Sequence, residues 1–150
     1  MEREVIDSLS RLFDRDLKKL EDEIRQYPGE TALWKIAKDI KNPAGNLALH
    51  LCGNLQHYIG KVLGGRDYVR NRDLEFSAKD IPQSELIAQV AKTRQTVLSV
   101  LGSLDANLLG QQYPEKVFDY PMTTAYFLIH LAGHLNYHLG QINYHRRLVH

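Results

Sequence analysis

Residues 130–145 read HLAGHLNYHLGQINYH. His130, His134 and His138 are spaced by four and His145 follows seven residues on, an interval that only a helix gathers near one face. Side chains four apart on a helix have Cβ atoms about 5–6 Å apart, close enough for two imidazoles to converge on one ion. Each ligand nitrogen would sit about 2.0–2.1 Å from zinc.

Two ligands from one helix leave a tetrahedral or octahedral site incomplete, so a third must come from a facing helix. The stretch from Asn46 to about Leu63 supplies a candidate. Leu47, Leu51, Leu55, Tyr58 and Val62 form its apolar stripe, and beside it runs a polar line of Asn46, His50, Asn54 and His57. His50 is the obvious donor. Three histidines with an open position match a catalytic metal site better than a closed structural one. The ligand set suits zinc, nickel, iron or cobalt alike. The open position would take water, whose pKa the metal lowers, or a substrate thiolate.

Any one of these histidines taken singly reads more simply as a surface or hydrogen-bonded residue. What shifts the balance is that six of the seven (His50, His57, His130, His134, His138 and His145) fall in two helical segments. The seventh, His150, is terminal and expected to fray. Asn54 and His57, beyond His50 on its own face, read as support for a ligand, as pocket walls, or as ordinary interhelical hydrogen-bonding groups, and Gln141 has the same readings. Cys52 points elsewhere on its helix and reads as a small core hydrophobe. Gly53, Gly133 and Gly140 sit inside helices at a cost of about 1 kcal/mol each, which suggests close helix contacts.

Two more helical patterns complete the fold. From Glu2 to Tyr27, apolar residues from Val5 through Phe13 to Ile24 recur at three and four, and Pro28-Gly29 ends the run. TALWKIAKDIKNPAG then reads as a crossing loop anchored by Trp34. After Gly64-Gly65, RDYVRNRDLEFSAKD shows no sustained period and reads as an irregular, solvated connection. A third helix starts around Asp80 to Gln83, with Asp80 the candidate cap, and carries Leu86, Val90, Val97, Leu101, Leu104 and Leu108. A loop from Gln111 to Pro121 precedes the fourth, which runs from Thr123 or Thr124 to Arg147. Four helical patterns without strand alternation predict an all-α four-helix bundle in one domain over 1–150, with packing order left open by the two longer connections.

The composition sets limits on function. Nineteen Lys and Arg against eighteen Asp and Glu give a formal charge of +1, which offers no reason to expect nucleic acid or an anionic membrane. One cysteine permits no intramolecular disulfide. MEREVIDSLSRLF does not read as a signal peptide, and no apolar run approaches the roughly 20 residues of a membrane span. A cytoplasmic protein is the expectation.

Two segments, NLALHLCGNLQHYIG at 46–60 and HLAGHLNYHLGQI at 130–142, resemble the DinB-like proteins, and the likeness extends over nearly the whole chain. Within them the sequence looks closest to a small bacterial group of unknown function. The resemblance implies a bundle of up-down-down-up topology, often a homodimer. It also implies one divalent transition metal per chain on His50, His134 and His138; zinc or nickel leads, with iron, manganese or cobalt as alternatives. His130 is not required by the family pattern and is left as a pocket or surface residue. Some relatives move a low-molecular-weight thiol onto an electrophile, so a small-molecule thiol substrate is carried by resemblance alone. A hydrolase using metal-bound water would want a nearby base, and the sequence offers only Glu75 from the connecting stretch. A non-catalytic dimeric interaction or stress-response protein is the remaining alternative, favoured if the first helix exposes an apolar stripe.

Overall fold

A computed structural model describes residues 1–149; His150, expected to fray, lies outside the described residues. The first helix, α1 (Glu2–Arg25), forms where the three-and-four spacing predicts it, with Glu2 and Glu4 in the first turn and Arg25 in the last, each sign opposing the helix dipole. Ile6, Leu9, Phe13, Leu17, Leu20 and Ile24 are buried, and removal of each side chain from water contributes about 1.5–3 kcal/mol before ordering entropy is charged against it. Gly29 follows at φ 110°, a conformation that ends the helix and favours glycine.

The crossing segment holds a short helix, α2 (Glu30–Leu33), and then Trp34, which is buried as expected. Its ring lies 2.7 Å from where a Cβ on Gly45 would be, so glycine at 45 lets the indole pack on the start of the next helix. That helix, α3 (Ala44–Leu55), is buried at every residue and continues into a π-helical turn over Gln56–Lys61.

The stretch after Gly65 corrects the expectation of an irregular connection. Arg72–Ser77 form a helix, α4, started by Asn71, whose side chain accepts from the Leu74 amide at 3.1 Å. Asn46 on α3 donates to the Glu75 and Ala78 carbonyls at 3.0 and 2.9 Å, which fastens α4 to the bundle. Asp80 is not a cap: it sits at φ 58°, and α5 (Gln83–Ser103) starts after Pro82 without a side-chain cap. A 3₁₀ turn at Ala106–Gly110 and a loop lead to α6 (Thr124–Val149).

Four long helices make the core, and α1 and α3 each pack between α5 and α6. Side-chain pairs give their directions. Arg3 meets the Leu104 carbonyl, Arg94 meets Asp14 and Gln83 meets the Ile24 carbonyl, so α1 and α5 are antiparallel. Asp16 with Asn136 and Tyr27 with His145 make α1 and α6 parallel. Cys52 beside Thr93 and Gly60 beside Thr96 make α3 and α5 parallel. His50 with His134 and Tyr58 with Phe127 make α3 and α6 antiparallel. The directions run up, down, down, up. With α2 and α4 added there are six α-helices among the described residues, so the architecture is a helical core with accessory helices and not a strict four-helix bundle. No helix among the described residues is long and apolar enough to cross a membrane.

Candidate metal centre

The antiparallel pairing of α3 and α6 brings the predicted histidines together. His134 Nε2 lies 3.2 Å from His50 Nε2 and 3.1 Å from His138 Nε2. One ion at about 2.0–2.1 Å from each nitrogen separates its ligands by about 2.9 Å in octahedral and about 3.3 Å in tetrahedral geometry. These two separations fall in that interval, and all three ligand atoms lie within 4.8 Å of one another. Among the described residues these three are the only His, Cys, Asp or Glu side chains grouped closely enough to hold a metal.

Hydrogen bonds at the far ring nitrogens aim two of the lone pairs. Glu75 Oε1 lies 3.0 Å from His50 Nδ1, and Gln141 Oε1 lies 2.7 Å from His138 Nδ1. Each oxygen accepts an Nδ1–H, which leaves Nε2 bare toward the common point, as a metal ligand requires. His134 Nδ1 is buried without a partner. Burial, and then the neighbouring His138, His50, His130 and Arg70 charges, push the His134 pKa down to about 3. Burial also lowers His138, against the opposing bond from Gln141. Both rings therefore stay neutral near pH 7 with their lone pairs available.

Glu75 is the residue that sequence reasoning placed only as a guess. It is not a free base. Its Oε2 accepts from Arg70 Nε at 2.9 Å, and its Oε1 accepts from Arg70 Nη2 at 3.0 Å as well as from His50. Burial alone would raise the Glu75 pKa, but the bonds from His50 and Arg70 outweigh it and hold the carboxyl below its usual range. The carboxylate occupies the space where Gly53 lacks a Cβ, so the expected close contact at Gly53 is to this side chain. The glycine inside a helix three residues after His50 was the available signal. Gly133 and Gly140 have nothing within 4 Å of an added Cβ and make no such contact.

The other candidates separate. His130 is exposed and stacks on Phe127 at 5.8 Å, outside the triad. His57 Nε2 sits 3.0 and 3.1 Å from the two Glu115 oxygens, a partner the sequence did not suggest. Asn54 is buried, and its Oδ1 has no partner. His145 belongs to the core, between Tyr27 and the Lys35 carbonyl. Cys52 is a buried free thiol whose pKa burial pushes up to about 11, in keeping with a core role.

Three imidazole ligands with no carboxylate among them would leave a divalent ion its full charge. His134 and His138 are only partly buried, so the centre has a solvent-facing side. In fold, the chain is similar to the crystal structure of a conserved protein from Enterococcus faecalis, with a TM-score of 0.79, 17% identity and 95% of each chain covered. No curated protein matches the sequence. The family described as "Protein of unknown function (DUF1572)" matches residues 1–150. With its DinB-like helical core and its histidine motifs, the chain belongs to that family.

Proposed function

We propose that this protein is a metal-dependent transferase that moves a low-molecular-weight thiol onto an electrophilic small molecule. The observation that carries the reading is the ligand set: three imidazole nitrogens converge without an anionic protein ligand. A divalent ion bound there, with zinc or nickel first, supplies positive charge that favours the deprotonated sulfur of a thiol. His50, His134 and His138 hold that charge in place, and Glu75 and Gln141 fix two of the rings. In the transfer, sulfur forms a bond to the electrophilic carbon as the carbon–leaving-group bond breaks, and the thiol proton goes to solvent. The thiol reading is preferred to the hydrolase alternative because both Glu75 oxygens are already engaged. A cytoplasmic location fits this reading, since its thiol co-substrate belongs to a reducing compartment.

The test is metal analysis of protein purified without chelator, followed by thiol conjugation to a chlorodinitrobenzene or bimane electrophile. Expected are one transition metal per chain and a conjugation rate that is lost in His134→Ala. Metal-free protein that stays empty after incubation with zinc, nickel, manganese, iron and cobalt would overturn the reading.

A homodimer forms part of the proposal, and it also serves the alternative of a non-catalytic interaction protein. The apolar stripe of α1 is buried, so the exposed one lies elsewhere. Tyr126, Ile129, Tyr137, Tyr144 and Leu148 on α6 are 48–66% exposed. They recur at three, four and their sums, so they share a face that a second copy would cover. Light scattering checks it: a dimer that Tyr137→Glu converts to monomer supports the face, and a monomeric parent protein removes it.

A further inference from the structure

Four buried side-chain polar atoms lack a hydrogen-bond partner among the described residues, and three of them are Asn54 Oδ1 on α3, His57 Nδ1 in the π-helical turn that continues it, and His134 Nδ1 on α6. A buried polar group without a partner costs about 1–3 kcal/mol, so a concentration of them marks a place where something else binds. The register of the two helices says where. His50 meets His134, and two turns on Tyr58 meets Phe127. Asn54, four residues after His50, stays within about 40° of His50's direction, and His57 lies just beyond it, in the π-helical turn that continues α3. Asn54 is only 7% exposed.

The chemistry of this end is that of an acceptor. Both Glu115 oxygens lie within 3.1 Å of His57 Nε2, so that nitrogen donates to the carboxylate and Nδ1 is the ring atom left without a partner. Asn54 Oδ1 adds a second acceptor, and the Glu115 side chain is 41% exposed, so its charge is reachable from solvent. The histidine centre one to two turns away has the opposite preference, since its neutral ligands suit an anion.

We propose that Asn54 and the His57–Glu115 pair form a recognition point for an amine or other N–H donor on a ligand whose anionic head lies at the three-histidine centre. The ligand class is therefore bifunctional, with its two ends separated by about 10 Å, the rise of seven helical residues. The inference rests on the proposed metal site and narrows the thiol to one bearing a donor group.

The experiment uses the full chain loaded with cobalt(II) and calorimetry with two matched probe pairs. One pair is 6-aminohexanethiol and 6-mercaptohexanoic acid. The other is 6-aminohexanohydroxamic acid and the monohydroxamic acid of adipic acid. A charge-assisted hydrogen bond favours the amine of each pair by about tenfold or more in Kd. Glu115→Gln and Asn54→Ala, each still carrying one cobalt per chain, are expected to reduce that preference to about threefold or less. Equal binding of both members, or a preference for the carboxylate, overturns the recognition point and leaves the unpartnered atoms to water. Absence of a sulfur-to-cobalt absorption band with either thiol overturns the thiol reading instead, and the hydroxamate pair then still decides the donor preference.

Discussion

The Glu75 carboxylate lies against Gly53 where any other residue would place its Cβ. That one missing atom lets an acid from α4 reach His50 on α3, so Gly53→Ala is expected to push Glu75 off the His50 ring. Loss of a partner that orients a ligand typically lowers metal affinity about 10–100-fold. Competition with a fluorescent zinc chelator measures it, with circular dichroism showing that the helices persist. Unchanged affinity in a folded variant would show that Glu75 does not orient His50.

Arg70 and Glu75 form a buried ion pair with side chains 12% and 7% exposed. Glu75→Gln alone leaves the guanidinium uncompensated and is expected to cost about 3 kcal/mol in urea denaturation of the metal-free protein. Combining it with Arg70→Met removes the stranded charge and is expected to recover most of that loss while metal affinity stays low. Additive losses in the double variant would show that the two residues act independently.

Asn54 predicts a gain. Its buried Oδ1 has no partner, so Asn54→Ala is expected to stabilise the ligand-free protein, or at worst leave it unchanged, by up to about 1–2 kcal/mol. Buried polar residues that satisfy a hydrogen bond do the reverse. A loss above about 2 kcal/mol on thermal or urea unfolding would place an unseen partner at Asn54.

His145 carries a pH prediction of its own, seven residues from the nearest proposed ligand. It faces Tyr27, just beyond α1, and the Lys35 carbonyl from the crossing segment, and Glu23 and Arg146 pair nearby. Burial lowers its pKa, with the Lys35 bond opposing. Below about pH 6.5 the unfolded chain takes a proton that the folded ring resists, so stability falls as pH falls, by at most about 1.4 kcal/mol per unit for this one proton. His145→Gln removes that contribution. The difference between the two urea-stability curves is therefore expected to narrow from pH 7 to pH 5. Parallel curves would show that His145 titrates alike in both states.

The helical class, the four long segments and the spacing of His134 and His138 were legible in the sequence because each rests on interactions within one helix. A period near 3.6 is local, and so is the geometry of two side chains four residues apart. The same locality explains α1 and its buried stripe. His50 as a candidate third ligand was legible only as a residue on a suitable polar line and through resemblance to DinB-like proteins.

Tertiary structure decided the rest. Helix α4 has six residues, too few for a period to show, and is held by its Asn71 cap and by Asn46, which reaches the Glu75 and Ala78 carbonyls across 29 and 32 positions. Glu75 meets His50 across 25 residues, and His57 meets Glu115 across 58. Such pairs depend on which helices become neighbours and in which direction they run, and no local periodicity encodes that. The sequence by itself determined which residues share a helix face; packing determined which faces meet, and with them the partners that orient or leave bare each polar atom of the candidate site.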